Sequence, residues 1–164
     1  MSRTAPTLAI LSLLLSGCLP VASLHPFYTE ETVVADPNLV GIWTAENMTW
    51  EFEETDDKTY DLIIAEDEKI GAFKVHVFRL EGELLMDLYP EELPEDLPLA
   101  DFYKMHLFPI HHIMRLSFVD AQLHLRFLEL DTMVRILEAY PHLLRYEVIE
   151  NDLIALTDSS KAIQ

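Results

Sequence analysis

From Leu39 onward, apolar and polar residues alternate in short runs, and this period of two constrains the chain more than any other feature. Successive side chains of an extended strand point to opposite faces, so the alternation marks a sheet with one buried face. Gly41-Ile42-Trp43 opens the first run. In the next, Trp50 and Phe52 alternate with Thr49, Glu51 and Glu53. After a turn at 55–58, Tyr60, Leu62 and Ile64 alternate with Asp61 and Ile63, and the run ends in the acidic turn 66–68.

Two hairpins carry enough pattern to set a register. With Glu81-Gly82 as a two-residue turn, Leu80 faces Glu83, Val75 faces Leu88, Val77 faces Met86 and Phe78 faces Leu85. The same ladder puts His76 across from Asp87, with Cβ atoms about 5 Å apart, close enough for the imidazole to donate to the carboxylate. This pair reads either as a surface ion pair contributing at most about 1 kcal/mol or as an acid–base or ligand-contacting dyad. A longer hairpin joins Met105–Val119 to Gln122–Leu130 through Asp120-Ala121. It pairs Phe118 with Leu123, Leu116 with Leu125, Met114 with Phe127, and therefore His112 with Glu129.

The alternation places His112 and Glu129 among apolar side chains. A buried imidazole facing a buried carboxylate must be hydrogen-bonded; the two either satisfy each other in the core or orient the polar head of a ligand in a greasy cavity. The opposite face of this hairpin carries Ser117 with His124 and Arg115 with Arg126, a like-charge pair that needs carboxylates from neighbouring strands. His106, His111, His112 and His124 invite a metal reading, but neighbouring strand residues such as His111 and His112 point to opposite faces. No metal site and no cofactor are assigned.

Between and after these hairpins the pattern changes. Residues 90–98 interleave Glu91, Glu92, Glu95 and Asp96 with three prolines and form a long acidic loop that covers one end of the sheet. Asp131 caps one short helix late in the chain, with Met133, Ile136, Leu137 and Tyr140 on one face and Pro141 as its stop. Two last strands, Leu144–Ile149 and Leu153–Thr157, follow. Asp158-Ser159-Ser160 looks like another helix cap four residues before the last of this sequence, so this terminus either frays or has been shortened.

The N-terminus is organised differently. Arg3 precedes the apolar run Leu8–Leu15, which is too short to span a bilayer. Leu15-Ser16-Gly17-Cys18 follows, and it resembles the lipobox of bacterial lipoproteins. That resemblance implies removal of residues 1–17 and acyl chains on Cys18, the only cysteine of the chain. Several acyl chains anchor firmly, each buried methylene contributing roughly 0.8 kcal/mol. Leu19, rather than an aspartate, after the cysteine implies the periplasmic side of the outer membrane. Residues 18–38, broken by Pro20, Pro26 and Pro37, read as a tether, although the aromatics of His25-Pro26-Phe27-Tyr28 suit docking on the domain. Residues 39–164 are then one β domain.

Charge and composition remove several function classes. The formal charge of -18 becomes -19 when residues 1–17 leave, because Arg3 is the one charge among them. Such an excess opposes nucleic acid and anionic lipid surfaces and suits a cationic protein partner. Three glycines remain beyond residue 17, Gly41, Gly71 and Gly82, too few and too scattered for a phosphate-cradling loop. Ser23, Ser117, Ser159 and Ser160 lack the Gly-x-Ser-x-Gly setting of a nucleophile elbow. A hydrolase built on His112 or His76 has neither nucleophile nor oxyanion-stabilising loop, so the chain reads as a non-enzyme.

Gly41-x-Trp43 at the first strand, the strand meander and the helix before the final strands resemble the lipocalin-like superfamily. The resemblance implies a mainly β fold: an antiparallel up-and-down barrel or strongly curved meander, with its tryptophan closing the base beneath Arg126 or Arg145. It also implies a carrier of a small apolar or amphipathic molecule, in a cavity lined by residues such as Met86, Met114, Leu116 and Phe127. The competing expectation is a structural or interaction lipoprotein whose interior is filled by its own side chains.

Overall fold

The computed structural model describes residues 9–13, 21–56, 58–94, 97–104, 109–128, 130–149 and 153–164. Its elements are β1 (Ala9–Leu13), β2 (Ala22–Ser23), β3 (Gly41–Ala45), β4 (Met48–Asp56), β5 (Thr59–Glu66), β6 (Lys69–Leu80), β7 (Glu83–Pro90), α1 (Asp101–Lys104), β8 (His111–Val119), β9 (Gln122–Phe127), α2 (Leu130–Ala139), β10 (Tyr146–Ile149), β11 (Leu153–Leu156) and α3 (Ser160–Ile163). The fold is mainly β, and the strands join in one large mixed sheet.

Strands β3 to β9 form a meander in which each strand pairs antiparallel with the next. Both expected registers are present. Val75 pairs with Leu88, Val77 with Met86 and His76 with Asp87; Met114 pairs with Phe127, Leu116 with Leu125 and Arg115 with Arg126. The turns explain this precision. Glu81 and Gly82 have φ of 50° and 84°, and Asp120 and Ala121 have 49° and 60°. Two successive left-handed residues give the turn whose twist matches that of the flanking strands, and so fix which residues meet.

Several boundaries move. Strand β8 begins at His111 rather than Met105, after Pro109 and Ile110, and residues 105–108 lie outside those described. Strand β9 ends at Phe127, because Leu130 already belongs to α2. That helix buries Leu130 and Leu137 while Ile136 and Tyr140 are exposed. Its apolar stripe therefore runs through 130, 133, 134 and 137, one position away from the expected face, and Asp131 lies in the first turn rather than at the cap.

The sheet is not antiparallel throughout. Strand β1 runs parallel to both β3 and β9, and β2 runs parallel to β11 while pairing antiparallel with β8. A tight hairpin forces antiparallel pairing, whereas strands delivered by distant segments are free of that constraint. Besides β1, strand β9 also pairs with β8.

Alternation gives the meander two apolar clusters. On one face Trp43, Trp50, Phe52, Tyr60, Phe73 and Met114 pack with their neighbours. On the other, Phe78 and Ile113 are covered by Val21, Phe27, Leu137 and Leu156. The expected tether is thus, from Val21 onward, packed on the sheet: Val21 and Ala22 are fully buried, Val33 bridges to Phe78, and the Val34 N–H donates to the Val77 carbonyl. The acidic loop packs Leu93 and Leu99 against the inner cluster, and the Ala100 N–H donates to the Ile70 carbonyl. Tyr103 then crosses Gly71 so closely that a Cβ there would lie 2.6 Å from the tyrosine Cβ.

Candidate functional site

The outer face of β6, β7 and β8 carries a polar row at its centre. Asp87 is fully buried, and its register partner on β6 is His76, as expected. The carboxylate does not meet His76, however. One oxygen lies 2.7 Å from His111 Nδ1, and the other accepts the Phe27 N–H at 2.9 Å. A strand residue reaches diagonal neighbours as well as the one directly across, so His111, two positions from Asp87's direct partner Ile113, takes the place assigned to His76. His76 instead stacks on Tyr28 at 4.3 Å between ring centroids and lies 3.3 Å from Thr59 Oγ1.

Burial shapes the titration of this row. The His76 imidazole is held below its ordinary value, chiefly because burial disfavours its charged form. The Tyr28 hydroxyl is pushed up to about 12, first by burial and then by the Asp87 carboxylate. Ser23 lies directly across from His111 on β2, so serine, histidine and aspartate come together in one neighbourhood. Ser23 is fully buried and its Oγ accepts the His25 N–H. Asp87, tied to His111 through one oxygen, fastens the N-terminal segment to the sheet through the other, which accepts the Phe27 N–H.

His112 faces the inner cluster, nearly fully buried, between Leu88 on β7 and Ala22 on β2. Its expected partner Glu129 lies outside the described residues, as does Cys18. Met86, Met114 and Leu116 are packed into the inner cluster with exposures of 0%, 0% and 2%. Trp43 differs from expectation. Its Nε1–H donates to the Leu39 carbonyl at 2.9 Å and its ring meets Phe118, while Arg126 points to the other face and Arg145 is exposed beside Asp158.

A cavity of about 490 Å³ opens on the outer face, between β6–β9 and the cover made by α2 and the C-terminal segment. Phe27, Phe78, Leu85, Ile113 and Met133 form much of its apolar wall, and among the described residues Phe127 is the one member of the expected ligand set that lines it. Glu81, Glu83, Arg115 and Arg126 supply its polar side. Alternation alone could not find this site, because its second wall comes from a helix far along the chain.

Among the described residues, no group of three or more His, Cys, Asp or Glu side chains could hold a metal ion, and no helix is long and apolar enough to cross a membrane. No protein-family model, curated protein or solved structure matches the chain. The site must be read from its own geometry.

Proposed function

We propose that this protein is a lipid-anchored envelope lipoprotein of lipocalin-like design that binds a small apolar or amphipathic molecule. The observation that carries the reading is the outer-face cavity. Its volume of about 490 Å³ falls within the roughly 300–1,000 Å³ of small-molecule sites, and its mainly apolar wall with a few polar groups is their usual make-up. The order Leu15-Ser16-Gly17-Cys18 supports anchoring through Cys18. The seven-strand antiparallel meander from β3 to β9 supports the lipocalin-like part.

Native mass spectrometry of protein purified from its own envelope tests the binding. A small molecule is expected with the native chain and not with Met133→Trp, whose larger side chain obstructs the cavity. Growth with labelled palmitate tests the anchor, since label on the native chain and none on Cys18→Ala is expected.

The filled inner cluster favours a second reading, an interaction lipoprotein without ligand whose acidic surface meets a cationic partner. Native protein that carries no small molecule and takes up none supports that reading over the first.

A further inference from the structure

We infer that the molecule held in the outer-face cavity is a single-chain amphiphile with a singly charged acidic head, bound by Arg126. This rests on the proposal that the cavity is a ligand site. The register sets Arg115 directly across from Arg126, and both line the cavity. Two like charges facing each other across a ladder destabilise it, and a counter-ion relieves the repulsion. Arg115 has one: its guanidinium lies 2.6 Å from Glu83. None of the ion pairs among the described residues involves Arg126, although the whole chain is strongly acidic. A guanidinium fork beside an apolar wall is the geometry that grips a carboxylate or phosphodiester through two parallel hydrogen bonds.

The remaining rim charges narrow the head further. Glu81 and Glu83 line the same cavity and repel a head carrying more than one negative charge, which discriminates against phosphomonoesters. The apolar wall runs from Leu85 through Phe78 to Phe27, and the volume suits one acyl chain rather than two.

The experiment uses the full-length chain carrying Cys18→Ala, so that its own acyl chains do not compete. Four probes of equal chain length are titrated: a long-chain fatty acid, a lysophosphatidylglycerol, a fatty alcohol and an alkyl phosphate monoester. The acid and the phosphodiester are expected to bind at least about tenfold more tightly than the alcohol and the monoester, the effect of one charge-assisted contact. Arg126→Gln abolishes that preference while leaving the alcohol within about twofold, which also shows that the variant is folded; Arg126→Lys restores part of it. Equal binding of acid and alcohol, or an unchanged preference in Arg126→Gln, overturns the assignment of the head while the cavity stands, provided Met133→Trp still blocks every probe. Probes that bind Met133→Trp as well as the native cavity, or do not bind at all, overturn the cavity itself. Binding to Cys18→Ala but not to the lipidated chain overturns a free ligand and makes the protein's own lipid the occupant.

Discussion

Replacing Asp87 with alanine tests the part of the structure that fastens the N-terminal segment to the sheet. The carboxylate is fully buried and is met by the Phe27 N–H at 2.9 Å and by His111 Nδ1 at 2.7 Å. Hydrogen bonds to a charged group contribute about 1.5–3 kcal/mol each, so losing both removes about 3–6 kcal/mol. Two effects work against that. The alanine no longer holds a charge out of water, which recovers part of the desolvation penalty, and His111, 12% exposed, regains contact with solvent. The net loss expected is about 2–4 kcal/mol, a large share of the 5–15 kcal/mol of a typical domain. Urea unfolding of the full chain reads it directly, and amide hydrogen exchange localises it, because the Phe27 N–H loses its acceptor. Asp87→Asn keeps one acceptor and is expected to fall between the two. A midpoint for Asp87→Ala within about 0.5 kcal/mol of the native chain, with the Phe27 amide as protected as before, refutes the argument, for it requires that the carboxylate is not the clasp.

Other outcomes follow from single residues. Gly71→Ala places a Cβ 2.6 Å from the Tyr103 Cβ, so it is expected to cost about 1–3 kcal/mol in thermal or urea unfolding; Tyr103→Gly lacks that Cβ, so adding Gly71→Ala to it is expected to cost less than adding it to the native chain, and an equal cost counts against the clash. Ala121→Gly relieves a left-handed alanine at φ of 60° and is expected to stabilise by about 0.5–1 kcal/mol once glycine's greater unfolded entropy is set against the relief, a sign that urea midpoints will show. Because the folded His76 titrates below its ordinary value of about 6.5, the unfolded chain binds its proton first as the pH falls. Stability from this group is therefore unaffected above that value, declines as the pH drops below it, and levels off beneath the lowered folded value; His76→Gln is expected to flatten the curve, and parallel curves argue against burial as the cause. With Tyr28 raised to about 12, its tyrosinate absorbance appears after that of the exposed tyrosines, stability falls as the pH climbs from 10 toward 12, and Tyr28→Phe removes the last step of the titration.

The candidate site was legible only in pieces. His76, Asp87, Met114 and Phe127 sit at the register positions that their alternation and two turns imply, because a two-residue turn and the residues beside it settle pairing locally. The partner of Asp87 was not legible in the same way. His111 reaches it diagonally, and the Phe27 N–H arrives from 60 residues away, a meeting that no local pattern records. The location of the cavity was hidden for the same reason, since a strand's alternation tells which side chains share a face but not what covers that face.

Short-range chemistry, then, lies within the sequence: left-handed residues at 81–82 and 120–121 close the hairpins, and alternating side chains divide each strand into two faces. What crosses the chain was left to tertiary structure. Packing both faces requires covering the outer one, and it fell to residues 21–34, α2 and the C-terminal strands to do so. Where that cover fits closely it buries Asp87; where it stands off the sheet beside Arg126, it leaves the cavity.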